Sequence, residues 1–350
     1  MAVYRLYPEK DATIWSEPTL AGLYGNSGLD QILEIGGYPD VNNVGRTKRS
    51  LIQFNSTEIS NTLNQRVTGN YSASLNLYIA DASELPEEYS VYVNPISSSW
   101  FNGTGRLNDK PVNRTGVSWK FKDSAVTEWT TLGSDYLSSP SGSQLHTLKT
   151  DHDLNIDVTN IVDAVYSGSI SNNGMLVKIQ DSYENYTSQS ISLKYFSVNS
   201  STIFKPFLEF KWDDSTFAPG SLAVLDTDNA TITIKNGKES YSNTSKVRFR
   251  ISSRPKHPAR SFTTSSIYLT EYALPSTSQW AIKDEFSEEM IIDFDEQFTK
   301  ISTDDVSSYF DLEMNILQPD RYYRLLIKTT IDNSTFTIDQ NNIFKVVKNV

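Results

Sequence analysis

Catalysis or metal binding in this chain would have to start from three histidines, His146, His152 and His257. An imidazole titrates near neutrality and ligates metals, so a histidine flanked by carboxylates is the first place to look. Only Asp151-His152-Asp153 brings those types together. The tripeptide sits just before a strand pattern, where a solvated loop is the better reading. Further carboxylates cluster at Asp151, Asp153 and Asp157, at Asp293, Asp295 and Glu296, and at Asp304 and Asp305. Alternating aspartates suit calcium, but none of these runs carries the turn glycine and terminal glutamate of a calcium loop. Outward polar positions and helix caps account for them better. No serine stands in a Gly-x-Ser-x-Gly elbow, and Gly103-Thr104-Gly105 is far short of a phosphate loop. Nothing points to a pair of carboxylates facing across a cleft, as glycoside hydrolysis needs. The expectation is a non-enzymatic protein with no cofactor and no metal.

The elements that would position such residues are strands. The 350 residues are 38% hydrophobic and 12% aromatic, a globular composition, and long enough for two domains. Tyr, Phe, Ser, Thr and Asn abound, which favours strands and turns over helices. A net charge of -11 with no basic run argues against nucleic acid. No apolar stretch approaches the roughly 20 residues of a membrane span, so no membrane is expected. The absence of cysteine points to a reducing compartment, and Met1-Ala2-Val3-Tyr4-Arg5-Leu6 reads as a first strand rather than a signal peptide. Asn-x-Ser/Thr sequons at Asn55, Asn102, Asn185, Asn229 and Asn333 are therefore not read as glycosylated.

Period-2 alternation recurs along the chain. Ala73, Leu75, Leu77 and Ile79 share one face, as do Met175, Val177 and Ile179, then Leu208, Phe210 and Trp212, and then Val247, Phe249 and Ile251. Turn clusters such as Gly36-Gly37-Tyr38-Pro39-Asp40 and Ser138-Ser139-Pro140-Ser141-Gly142 separate the runs. The one good helix candidate is Thr159 to Ser167, capped by Thr159 or Asn160 and ended by Gly168. A polar stretch after Trp212 sets the expected boundaries: domain one at 1–213, a linker at 214–216 and domain two at 217–350.

Several segments in order carry a family resemblance. They include Asp11-Ala12-Thr13-Ile14, Leu33-Glu34-Ile35-Gly36, Arg49-Ser50-Leu51-Ile52-Gln53-Phe54 and Trp100-Phe101-Asn102-Gly103-Thr104-Gly105. Ser72-Ala73-Ser74-Leu75-Asn76-Leu77-Tyr78, Gly116-Val117-Ser118-Trp119, Trp129-Thr130-Thr131-Leu132-Gly133, Asp157-Val158-Thr159-Asn160, Asn173-Gly174-Met175-Leu176-Val177-Lys178 and Lys205-Pro206-Phe207-Leu208 complete the set. Residues 1–213 thereby resemble a DNRLRE-type, carbohydrate-binding-module-like domain, which implies a two-sheet jelly roll but no activity. Trp100, Trp119 and Trp129 each adjoin a turn cluster, where an indole buries much area and its N–H can reach a carbonyl. They are assigned structural roles.

In domain two, Leu317, Pro319 and Tyr323 have the spacing found at the start of strand F in fibronectin type III-like and immunoglobulin-like sandwiches. That resemblance makes Tyr323 a tyrosine corner, its hydroxyl bonded to upstream backbone. The domain exceeds the usual roughly 100 residues, so an insertion is expected around Pro255–Ser266 or Ala281–Glu296.

The fold class expected is all-β, an N-terminal jelly-roll-like sandwich followed by a C-terminal immunoglobulin/fibronectin III-like one. A cysteine-free, acidic, signal-less tandem of this kind resembles structural virion proteins of tailed phages, especially those of marine and cyanobacterial hosts. The resemblance implies a virion component of neck, baseplate, fibre or capsid. It would be made in the host cytoplasm, with other virion proteins as partners and copies of itself in a homo-oligomer. The alternative is a protein that binds a host cell-surface polysaccharide. Tyr183, Tyr186 and Tyr195, near a polar loop, are the candidates for stacking on sugar rings.

Overall fold

A computed structural model describes the chain except residues 1, 17–22, 68, 108, 125, 148, 214–215, 260–265 and 349–350. Most of the expected linker and part of the first candidate insertion thus lie outside the described residues. The fold is all-β, and the chain divides into two compact units. One comprises Arg5–Val67 and Tyr71–Phe210; the other comprises Lys211–Val350 with Met1–Tyr4 and Thr68–Asn70.

Among the described residues fourteen strands precede the second unit's own set. They are β1 (Ala2–Leu6), β2 (Lys10–Trp15), β3 (Ile32–Pro39), β4 (Gly45–Gln53), β5 (Tyr71–Leu77), β6 (Ile79–Ser83) and β7 (Glu88–Pro95). After them come β8 (Phe121–Asp123), β9 (Thr127–Glu128), β10 (Gly142–Thr147), β11 (Leu154–Asp157), β12 (Met175–Ile179), β13 (Ile191–Phe196) and β14 (Phe207–Trp212). A large antiparallel sheet runs β10-β7-β12-β4-β3-β13-β6, with β2 also on β4, and a smaller one runs β1-β14-β5-β11. Successive strands pass from one sheet to the other at β5–β6 and β10–β11, as in a jelly roll.

The alternation read from sequence describes only half of the large sheet. Met175, Val177 and Ile179 of β12 are buried, and so are Leu176 and Lys178 on its opposite face. The cause is residues 96–141, a long excursion between β7 and β10 in which β8 and β9 are the only strands among the described residues. Trp100, Val117, Trp119 and Trp129 of this excursion pack with Ala12, Ile14, Leu51 and Leu176. Ala12, Leu51 and Leu176 lie in register across β2, β4 and β12, so the indoles cover one row of the sheet. The Trp100 indole N–H donates to Asn173 O at 2.8 Å, and that of Trp129 donates to Ser118 O at 2.9 Å.

A segment with so little sheet must satisfy its backbone by other means. Buried Asn26 supplies them: its amide NH2 donates to Asn102 O (2.7 Å) and Val117 O (2.9 Å). Its Oδ1 accepts the N–H of Gly105 (2.7 Å) and Gly28 (3.2 Å), so both donors and the acceptor are used. Gly103 holds φ +81° there, and a Cβ on it would fall 1.9 Å from Thr115 O.

Helix is scarce. Helix α1 (Ser56–Gln65) is one the sequence pattern did not flag. Its signal is Asn55 three residues before Glu58, since the Asn55 side chain caps Thr57 N and Glu58 N. Helix α2 (Thr159–Tyr166) follows Val158 as N-cap, without a side-chain cap bond. The neighbouring Asp157 accepts the Thr159 N–H and hydroxyl instead.

The second unit holds β15 (Ala230–Ile234), β16 (Ser240–Ser242), β17 (Lys246–Pro255), β18 (Gln279–Asp284), β19 (Met290–Ile292), β20 (Ser302–Thr303), β21 (Ser308–Glu313), β22 (Tyr322–Ile331) and β23 (Ser334–Val347). Its sheets run β15-β17-β21-β20 and β16-β23-β22-β18-β19, with β16 parallel to β23. In immunoglobulin letters these are A-B-E-D and A′-G-F-C-C′. The expected insertion at 281–296 is therefore corrected: it contains most of β18 and all of β19, the C–C′ hairpin. Gln279 to Ile282 are all buried, and a continuous buried run lacks the alternation that marks a half-exposed strand.

No disulfide joins these sheets. Trp280 on β18 stacks on Phe310 of β21 at 4.7 Å and 13°, and Phe310 stacks on Phe249 of β17 at 5.2 Å. Buried Leu325 stands two residues after Tyr323, where disulfide-bonded immunoglobulin domains carry their second cysteine. The buried Tyr323 hydroxyl donates to Gln318 O at 2.9 Å. Tyr323→Phe should cost about 1 kcal/mol, the net worth of one such bond. Urea unfolding checks this, with an unchanged m-value expected.

Candidate functional site

Buried charge gathers around Arg49 of β4, Lys178 of β12 and Glu184 just after β12. Arg49 donates through Nε to Glu184 Oε1 (2.6 Å) and through a terminal nitrogen to Oε2 (2.7 Å), a bidentate pair. Its other terminal nitrogen donates to Gly133 O at 2.7 Å, and the guanidinium lies over the rings of Trp119 and Tyr136. Buried Lys178 pairs with Asp181 and lies 3.4 Å from Glu184, with Tyr136 beside it. Burial opposes its charge, but Asp181 and Glu184 outweigh that and raise its pKa.

This knot fixes the segment that carries two of the three candidate tyrosines. Glu184 ends a one-turn helix, α3 (Asp181–Glu184), and its carbonyl accepts the Thr47 hydroxyl at 2.7 Å. The segment lies so close to β3 that a Cβ at Gly37 would fall 2.0 Å from Tyr183 O. Tyr183 and Tyr186 are half-buried and meet edge to face, centroids 5.3 Å apart at 85°. Tyr183 also lines an open hollow of about 530 Å³ with Glu87, Glu88, Gln180 and the exposed Leu145.

Tyr195 is corrected. It is completely buried on β13, so it offers no ring face to a sugar. Ile191, Leu193 and Tyr195 alternate with Lys194, and this parity is the sequence signal that placed it inward.

The histidines divide. His257 is exposed. His146, buried on β10, stacks on Tyr89 of β7 at 5.0 Å and 11°. Its Nδ1 lies 3.0 Å from the Asp151 carbonyl, which can only accept, so Nδ1 carries the proton; Nε2 is buried without a partner. His152 Nδ1 pairs with the Tyr89 hydroxyl at 2.8 Å.

The acidic clusters are engaged in turns. Asp153 accepts Ile79 N–H, Asp295 accepts Gln297 and Phe298 N–H, and Asp304 pairs with Arg250 while accepting Val306 and Ser307 N–H. Among the described residues no group of three or more His, Asp or Glu side chains is arranged to hold a metal ion. Trp100, Trp119 and Trp129 lie in the buried cluster under the excursion, and Tyr323 lies in the second unit. Sequence reading missed Arg49, Lys178 and Glu184, because the Arg49–Glu184 pair spans 135 positions and leaves no local pattern.

No family model matches the chain, and no curated protein matches it. Among solved structures, apo β-glucuronidase 3 of Bacteroides uniformis overlaps 99% of this chain and 35% of its own, at 10% identity and TM-score 0.22. The β-glucuronidase of Parabacteroides merdae with glycerol in its active site gives 99%, 36%, 10% and 0.23. The tripod from the baseplate of bacteriophage Tuc2009 gives 100%, 98%, 8% and 0.17. The chain spans about a third of the two glucuronidases. Overlaps at these TM-scores carry no argument about function.

Burial lowers the His146 pKa from the usual 6.5. The unfolded state then binds the proton more readily, so this contribution to stability is intact above pH 6.5 and declines as pH falls through it. His146→Phe keeps the stack on Tyr89 but removes the titration. The wild-type unfolding free energy minus that of His146→Phe should fall as pH drops from 7.5 to 5. A constant difference would sink the assignment.

Proposed function

We propose that this chain is a non-enzymatic structural component of a tailed bacteriophage particle, in the neck, baseplate, a fibre or the capsid decoration. It acts through contacts with other virion proteins and with copies of itself. The observation that carries this reading is where the charged groups are used. Arg49, Lys178 and Glu184 tie loops inside one unit, and Arg324 with Glu285 and Asp339 does so on β22 of the other. What faces outward is suited to docking. Strands β10 and β6 end the large sheet, and β15, β20, β16 and β19 end the sheets of the second unit. Leu145 and Phe286 are large apolar side chains exposed near such edges. Unpaired edge groups invite strand addition, and an exposed aromatic ring supplies an anchor. Quantitative mass spectrometry of gradient-purified particles should recover this chain in constant proportion to the major capsid protein. Recovery from infected-cell lysate but not from particles would overturn the proposal.

The Tyr183–Tyr186 pair favours a second reading, binding of a cell-surface polysaccharide. A pinned aromatic pair offers an apolar ring face with little entropy left to lose. Immobilised host polysaccharide should retain the wild-type chain and release Tyr183→Ala. Equal retention of the two, or no retention of either, removes this reading.

A further inference from the structure

Strand β10 ends the large sheet, and among the described residues its only ladder partner is β7. Its further ties run to residues 150–155. The Thr147 N–H donates to the Thr150 hydroxyl at 2.8 Å. Gln144 accepts the Asn155 N–H at 2.8 Å and donates to Asp153 O at 3.2 Å. His146 Nδ1 meets Asp151 O at 3.0 Å, and His152 Nδ1 meets the Tyr89 hydroxyl at 2.8 Å. Two of the chain's three histidines thus share one tyrosine. The Tyr89 centroid lies 5.0 Å from that of His146 and 6.1 Å from that of His152, and the two imidazoles are 6.2 Å apart.

His146 has no place for a second proton while β10 is docked. The ring is completely buried, Nδ1 already donates to the Asp151 carbonyl, and Nε2 meets no acceptor. A proton on Nε2 would leave a buried charge with an unpaired N–H. The titratable groups around it are Tyr89 of β7 and Asp151, His152 and Asp153 after β10, with Tyr195 of β13 near Tyr89 and Asp153. Burial acts most strongly and disfavours the imidazolium. The Asp151 carbonyl favours it, His152 disfavours it, the Asp151 carboxylate favours it, and the balance lowers the pKa from 6.5. Once β10 leaves the sheet the ring meets water, where it takes up a proton as an ordinary imidazole does.

We infer that His146 is a pH-sensitive latch on the sheet edge: acid releases β10 with residues 150–153 while the rest of the first unit stays folded. The proton captures the open form, so it needs no path to Nε2 in the closed one. Above pH 6.5 neither form takes the proton and β10 stays docked. Below it the open form gains a proton that the closed form lacks, and opening grows as pH falls. Release uncovers the backbone groups of β7 that β10 covers between Glu88 and Val93. A bare strand edge of that length accepts an added strand, so docking there becomes conditional on acid. The latch needs no partner and is independent of the particle reading.

Hydrogen–deuterium exchange of the full chain, read by mass spectrometry and corrected for the intrinsic pH dependence of exchange, tests the latch. The opening equilibrium of β10 and residues 150–153 should rise about 30-fold from pH 7.5 to 5, as a group of pKa 6.5 that titrates only in the open form requires. Central strand β12 should not follow. His146→Phe keeps a ring to stack on Tyr89, and His146→Gln keeps a donor for the Asp151 carbonyl. Each should abolish the rise, and either serves if the other does not fold. His152→Gln should keep it. Exchange of β10 that is the same at both pH values overturns the inference, and so does an equal rise in β12, which marks global unfolding. A rise that persists in a folded His146 variant overturns it too, as does its loss in His152→Gln.

Discussion

The first unit depends on the four hydrogen bonds of one buried amide, Asn26. Residues 96–141 lie on a sheet face yet contribute almost no ladder bonds of their own, so their carbonyls and N–H groups need other partners under burial. An asparagine is suited to this, because it offers two donors and one oxygen that accepts twice from a single short side chain. Placed at Asn26, it joins the 102–105 turn, the 117 carbonyl and the turn at Gly28. The same turns also let Trp100 and Trp119 descend onto Leu51 and Leu176. Without the amide, indole burial would come at the cost of unpaired backbone, each such group worth about 1–3 kcal/mol.

Closing the second face of the sheet creates the charge knot. Lys178 stands between Val177 and Ile179 on β12 and Arg49 between Lys48 and Ser50 on β4, and the excursion removes both from water. A buried cation without a partner is costly, and one partner removed from a buried pair typically costs 3–5 kcal/mol. Glu184 answers both cations, and through them the knot holds Tyr183 and Tyr186 and the carbonyl of Gly133 in place. The second unit meets its central requirement with different chemistry. An immunoglobulin sandwich needs something rigid between its sheets, and in a chain without cysteine the Phe249–Phe310–Trp280 stack occupies that place.

What was legible in the sequence was what is local. Alternation in Ala73–Leu75–Leu77 marked a strand facing one core, and the spacing of Leu317, Pro319 and Tyr323 marked the approach to strand F. Features that depend on distant partners were not legible. Lys178 reads as a solvent-facing strand residue until the excursion covers it. The 281–296 stretch reads as an insertion until Trp280 and Ile282 are seen between β22 and β19. Asn55 shows the reverse case, because a sequon was visible where the capping pattern with Glu58 was the physical signal. Tyr195 is legible by parity, because its alternation with Lys194 turns it inward despite the polar loop beside it.

The assembly and the saccharide readings rest on one property, which is that the surfaces in question are held by buried ties rather than by the surfaces themselves. Association costs translational freedom and the ordering of side chains, and a surface already ordered loses less of the second. Tyr183 and Tyr186 are ordered through Glu184. In the second unit the aromatic stack ties β18 to β21 and β17, and the Tyr323–Gln318 bond fixes the start of β22. A few buried charges, Lys178, Glu184 and Asp135 among them, position loops in the first unit, while rings and strand edges lie outside. That division of labour is what a particle component needs, since it must stay rigid while its contacts are made by neighbours.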